Sequence, residues 1–179
     1  MSLCSALLTA GTQAAAESSD PCLDATGGPA EALIRVCSDQ IAALTFDRDS
    51  GLPVTGALAS AHSNRALGHQ ADGDYEGALA DFDTALALLP NSAAILLNRG
   101  NLRLQQGDPT GALADYARVQ EVSPSLAEAA LRNSVLAYRA LGRPLEAEAL
   151  AAQLKARAAG ALNNDPASPE LAPVDSPPG

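Results

Sequence analysis

The chain has 179 residues, of which 39 are Ala and 27 Leu, and only five are aromatic: Phe46, Tyr75, Phe82, Tyr116 and Tyr138. Sandwiches and barrels draw on β-branched and aromatic residues, whereas Ala and Leu head the helix ranking, so composition argues against those sheet architectures and predicts an all-α chain. A net charge of −10, with Lys155 as the sole Lys, leaves no basic footprint for nucleic acid and would be repelled by an anionic membrane surface.

In chain order, residues 3–10 form a short apolar run, and Ala14-Ala15-Ala16 offers a small-x-small cleavage pattern before Glu17. Residues 1–16 are therefore read as a signal peptide, atypical because no basic residue precedes the run, with a start further upstream left open. The alternative is an Ala-rich tail without structure. Export would place the protein in the periplasm or outside the cell, and a cytoplasmic location is the less favoured reading. No stretch reaches eighteen apolar residues, so no membrane insertion is expected.

Removal of residues 1–16 would leave Cys22 and Cys37 as an even pair. A bridge between them would close a loop of 15 residues, contributing roughly 3 kcal/mol in the chain-entropy model. Two buried free thiols are the alternative. A metal site is disfavoured, because there is no C-x-x-C and no His nearby.

Helices are predicted at about 30–44, 56–71, 75–88, 93–106, 109–122, 126–141 and 144–159. Gly73, Gly107 and Gly142 stand where a helix must stop in a left-handed backbone. Asp108-Pro109 reads as an N-cap followed by proline at the first helical position, and Gly142-Arg143-Pro144 repeats the proline placement. Ser125-Leu126-Ala127-Glu128 reads as a capping box, and Pro90 and Pro124 as helix ends. Residues 161–179 carry five prolines and three acids with almost no large apolar side chain, which predicts a disordered acidic tail.

The middle of the chain repeats. An offset of 34 places Gly73-Asp74-Tyr75 over Gly107-Asp108-Pro109, Asn64-Arg65 over Asn98-Arg99, and Ala78-Leu79-Ala80-Asp81-Phe82 over Ala112-Leu113-Ala114-Asp115-Tyr116. Pro90 falls over Pro124, and a third copy follows with one extra residue. A helix–turn–helix of this length, with small residues at Ala66, Gly100, Ala78, Ala112 and Ala147, aromatics at Phe82 and Tyr116, and closing prolines, resembles the tetratricopeptide repeat (TPR). The match covers about 59–159 and is degraded in the third copy, where Val135 replaces the small residue and Ala151 the aromatic. Residues 34–44 resemble a lone second helix of an earlier repeat. Together with the Cys-containing helix, this is similar to small secreted bacterial TPR proteins. The resemblance implies an α-solenoid of about three repeats preceded by one extra helix. The predicted organisation is a signal peptide at 1–16, an N-terminal capping segment at 17–55, a TPR domain at 56–160 and the tail at 161–179.

Catalytic chemistry has little to draw on. His62 and His69 lie seven residues apart, too far for the i, i+4 pairing of a zinc helix, and both are read as structural. No nucleophile elbow occurs. No enzyme, cofactor or metal is expected. Arg65 and Arg99 are proposed to pair with Asp81 and Asp115 across each hairpin, the alternative being independently solvated charges.

The resemblance implies binding of a peptide or protein segment in a concave groove lined by the first helix of each repeat. Carried over by position, that groove holds Ser63, Asn64, Leu67 and Gln70; then Leu97, Asn98, Asn101 and Gln105; then Arg132, Asn133, Leu136 and Arg139. The recurring Asn64, Asn98 and Asn133 would pair with a partner backbone, while Arg132 and Arg139 make the third repeat locally positive. The Lys/Asn clamp of chaperone-binding TPRs is absent, since Ser63, Leu67 and Ala129 occupy three of its positions. The other reading is a structural protein of the cell envelope that uses convex or end surfaces, with the polar residues only solvating an inner face.

Overall fold

The computed structural model describes residues 21–26, 28–49 and 51–163. The expected signal peptide at 1–16 and nearly all of the acidic tail lie outside these residues. Eight helical segments occur among them: α1 (Pro21–Asp24), α2 (Ala30–Asp49), α3 (Thr55–Asp72), α4 (Tyr75–Leu88), α5 (Ala93–Gln105), α6 (Pro109–Val122), α7 (Pro124–Ala140) and α8 (Pro144–Asn163). They fall into two units, α1–α4 ending at Leu88 and α5–α8 beginning at Leu89.

In the first unit, α2 packs on α3 and α3 on α4, while the single turn α1 touches both α2 and α3. A disulfide joins Cys22 of α1 to Cys37 of α2, with their Cα atoms 4.7 Å apart. Both cysteines are fully buried beside Leu33 and Ala61, with Ala25, Ile41 and Leu44 against them. The Cys22 N–H donates to Gln40 Oε1 at 3.1 Å, so a backbone group at the start of α1 is satisfied by the helix it is bridged to.

Small residues set the spacing of α3 and α4. Ala59, Ala61, Ala66, Ala78 and Ala85 are fully buried, as is Phe82. Burying methyl groups rather than long side chains lets two helix backbones approach closely while still removing apolar surface from water. The turn between them follows from Gly73, whose φ of 87° is left-handed and whose N–H returns to Gln70 O at 3.2 Å. Asp74 then accepts the Gly77 N–H at 2.9 Å, capping α4.

The second unit repeats this construction: α5 packs on α6, α6 on α7, α7 on α8, and α5 also touches α7. Asp108 caps α6 by accepting the Gly111 N–H at 2.8 Å, with Pro109 in the first turn. Leu96, Leu102, Ala112, Tyr116, Val119, Ala130 and Ala137 are fully buried. At Gly100 no side chain fits, because an added Cβ would stand 2.6 Å from Cε1 of Tyr116.

Two details differ from the sequence reading. Ser125 and Glu128 do not form a capping box: α7 begins at Pro124, which places both residues inside the helix. Ser125 Oγ instead meets Ser123 Oγ at 3.0 Å, and Glu128 pairs with Arg132. A proline is already set for the first helical position and has no N–H to leave unsatisfied, so the helix starts one residue before the predicted cap. Helix ends also differ: α2 continues to Asp49, past the predicted end at residue 44, and α8 to Asn163, past residue 159 and into the predicted tail.

Candidate functional site

Two buried carboxylates organise the hairpins. In the first unit Asp81, 5% exposed, projects from α4 toward α3. It accepts from Arg65 twice, Nε to Oδ2 and Nη2 to Oδ1, both at 2.7 Å. His62 Nδ1 lies 2.9 Å from Oδ1, and His69 Nε2 is 3.8 Å from Oδ2. Arg65 reaches further, donating from Nη1 to Ser38 Oγ of α2 at 3.2 Å, and Ser38 donates to Ile34 O at 2.7 Å. One ionic group thus ties three successive helices together. Burial by itself would push the Asp81 carboxyl up, but the hydrogen bonds from Arg65 and His62 together hold it below the usual carboxylate range. The same bond raises the Arg65 guanidinium above its ordinary value.

In the second unit Asp115, 1% exposed, accepts from Arg99 Nε at 3.0 Å and Nη2 at 2.6 Å, and from Arg103 Nη1 at 2.9 Å. Both expected Arg–Asp bridges are therefore present, and they are buried bidentate pairs rather than solvated charges. Sequence reasoning did not anticipate the further contributors, His62 and His69 in the first set and Arg103 in the second. The signal was available: an offset of 34 places His69 over Arg103, so the same helical position turns a cationic or imidazole side chain toward the carboxylate in both repeats. His62 and His69 have the structural placement expected of them. His69 also sits 3.0 Å from Asp74 Oδ2 at the α3–α4 turn.

The residues expected to line a groove divide between the units. Asn64 and Leu67 are half-buried on α3 in the first. In the second, Leu97 and Asn98 are half-buried on α5, Asn101 and Gln105 are exposed, and Arg132, Leu136 and Arg139 are exposed on α7. The structure brings two of them into contact: Asn133 Nδ2 donates to Asn101 Oδ1 at 2.6 Å. The same oxygen accepts from the Tyr116 hydroxyl at 2.9 Å. That hydroxyl is buried beside Asp115, and burial followed by the carboxylate charge pushes its pKa up to about 12. Asn101 thus anchors a short network from the core at Tyr116 to the exposed residues of α5 and α7. Arg132 is paired with Glu128 one turn away, and both are well exposed.

Residues 69–107 match a family model described as TPR repeat. No curated protein sequence matches the chain significantly. Among solved structures, BtubC (BKLC) from P. vanneervenii is 19% identical with a TM-score of 0.67, covering 85% of this chain and 65% of that one. The TPR-like repeats of a Podosopora anserina kinesin light chain are 16% identical with a TM-score of 0.64, covering 78% and 72%. A MamA protein is 18% identical with a TM-score of 0.59, covering 80% of each chain. The chain thus spans 65% of the length of BtubC, and at these identities the likeness is one of fold. Residues 69–107 thus match a TPR repeat, and the fold is all-helical, with successive helices in each unit packed as in a TPR α-solenoid. Repeats of this kind are typically protein–protein interaction modules. Among the described residues no helix is long and apolar enough to cross a membrane.

Proposed function

We propose that the protein is a non-enzymatic TPR adaptor that holds a segment of another polypeptide in a concave groove, against the exposed residues of α5 and α7. One observation carries this reading. Asn101 is fixed by Tyr116 and Asn133, while the exposed Leu136 stands in the open between Arg132 and Arg139. A rigid amide beside an exposed apolar side chain and two cations is a surface with both an apolar contact and directional polar groups, the combination that partner recognition uses. The Cys22–Cys37 disulfide supports an oxidising compartment, periplasmic or extracellular, as its place of action.

The test is capture of the partner from native extract, followed by affinity measurements with Asn98→Ala, Asn133→Ala and Arg132→Glu. Loss of at least tenfold for Asn133→Ala or Arg132→Glu is expected. Affinity unchanged by all three would discard the groove.

A second reading, assembly through convex or end surfaces, has its own support on α8. Leu145 is 77% exposed, and Ala149, Ala152 and Ala156 continue its stripe in the open. Leu145→Glu abolishing partner capture while the α5 and α7 variants do not would favour that reading.

A further inference from the structure

The chain is acidic overall, but its charge is unevenly placed. Helices α5 and α7 together carry four arginines (Arg99, Arg103, Arg132, Arg139) and a single acid, Glu128, whereas the whole chain has 21 acidic and 11 basic residues. Two of those arginines, Arg99 and Arg103, converge on the carboxylate of Asp115. On the surface Arg132, Leu136 and Arg139 follow at i, i+4 and i+7 and share one side of α7. Arg132 shares its charge with Glu128, and Arg139 has no ion-pair partner among the described residues. Leu136 between them is 52% exposed.

We infer that the segment held on the α5 and α7 face is an acidic, extended stretch of a separate polypeptide, with two carboxylates four residues apart flanking an apolar side chain at the middle position. The inference rests on the adaptor reading and specifies its partner. Arg132 and Arg139 are separated by seven residues of helix, about 10.5 Å of rise. In an extended strand side chains two and four residues apart share a face, and four residues cover about 13 Å, a span that two long arginine side chains can bracket. One carboxylate then meets each guanidinium, and the apolar residue between them covers Leu136. The strand's backbone faces the amides of Asn98 and Asn133. The chain's own acidic segment fits this register poorly. Asp165, Glu170 and Asp175 are spaced by five residues, about 17 Å when extended, so a partner in trans is the better match.

The experiment uses the full chain and fluorescein-labelled twelve-residue peptides read by anisotropy at low and moderate salt. One peptide has Glu at two positions four residues apart with Leu midway, a second has Gln at both, and a third has Lys. The Glu peptide is expected to bind at least tenfold more tightly than the Gln peptide, and its affinity to fall as salt rises. Arg132→Glu with Arg139→Glu should abolish Glu-peptide binding and create binding of the Lys peptide, with helical content unchanged by circular dichroism. Equal binding of the Glu and Gln peptides, or none by either, overturns the inference. If the Gln peptide binds as well as the Glu peptide and is lost with Asn133→Ala, the groove survives and only its preference for acids fails. A tenfold gain in Glu-peptide affinity on neutralising Asp165, Glu170 and Asp175 within the full chain would assign the face to the chain's own tail, which also overturns it.

Discussion

Arg65 of α3 and Asp81 of α4 meet in a two-point contact, each guanidinium nitrogen 2.7 Å from a different carboxylate oxygen. Bidentate geometry at a nearly buried carboxylate makes this pair expensive to break on one side, because the remaining charge stays in the interior without its counter-ion. Arg65→Ala is expected to lower the stability of the first unit by about 2–3 kcal/mol, less than a fully buried pair would cost, because His62 still faces Asp81 and the Arg65 side chain is 23% exposed. Urea denaturation followed by circular dichroism measures this. A loss below about 0.5 kcal/mol, within the range of exposed pairs, would show that the bridge contributes no more than a surface contact.

The same carboxylate gives an acid limb to stability. The Asp81 carboxyl is held below its ordinary value in the fold, so on acidification the unfolded chain takes up that proton first. Its stabilisation is complete above the ordinary aspartate value near about 4 and is lost as pH falls through the lower folded value. Denaturation midpoints between pH 6 and pH 2 should decline in the wild-type chain. In Asp81→Asn, which lacks the titrating group, the decline should be shallower from a lower starting stability. Parallel curves for the two proteins would contradict this role.

The second unit answers differently to the equivalent changes. Asp115 is shared by Arg99 and Arg103, so either arginine can be lost with the carboxylate still paired. Replacing Asp115 removes the carboxylate on which both guanidinium groups converge. Asp115→Ala is expected to cost about 3–5 kcal/mol, and Arg99→Ala or Arg103→Ala distinctly less. A double-mutant cycle over Arg99 and Asp115 checks the ranking, which fails if either arginine variant is as damaging as Asp115→Ala.

Much of this framework was readable before any coordinates. Helix boundaries followed from Gly73, Gly107, Gly142, Asp108 and Pro109, because these residues act through their own backbone and nearest neighbours. The Arg–Asp bridges followed from the repeat, since a pairing between two positions must recur when both recur at the same offset. What escaped was set by tertiary partners. The one-turn α1 is held by a bond from Cys22 to a distant cysteine and by Gln40, and no local propensity announces it. Ser125 and Glu128 match a cap in pattern, but Pro124, which reads as the end of the preceding helix, takes the first position of α7. The Asn101–Asn133 bond joins side chains on helices that only the folded hairpins bring together.

Tyr116 offers a spectroscopic check on the interior. Its hydroxyl is pushed up to about 12 by burial and by the neighbouring Asp115 charge. Because the folded value is raised above the ordinary one near about 10, stability is intact below that ordinary value and is lost as pH rises through the folded one. Absorbance at 295 nm, about the wavelength at which tyrosinate is followed, should show one of the three tyrosines titrating late with respect to the ordinary phenol value. Tyr116→Phe should remove that late step. If no late step is seen, Tyr116 is not enclosed as described.

Gly100 tests how tightly the α5–α6 crossing is packed. An alanine there would place its Cβ 2.6 Å from one Tyr116 ring carbon and 3.0 Å from a second. The ring cannot swing away, because its hydroxyl is held by Asn101 at 2.9 Å and the side chain is fully buried. The helices must therefore move apart. Gly100→Ala is expected to destabilise the second unit by about 1–3 kcal/mol, as overpacking does, outweighing the gain of up to about 1 kcal/mol that alanine brings to a helix interior. Tyr116→Leu in the same chain removes the clash, so the alanine should become neutral or favourable in that background. An alanine that stabilises the otherwise unchanged protein would mean that the crossing has room to spare.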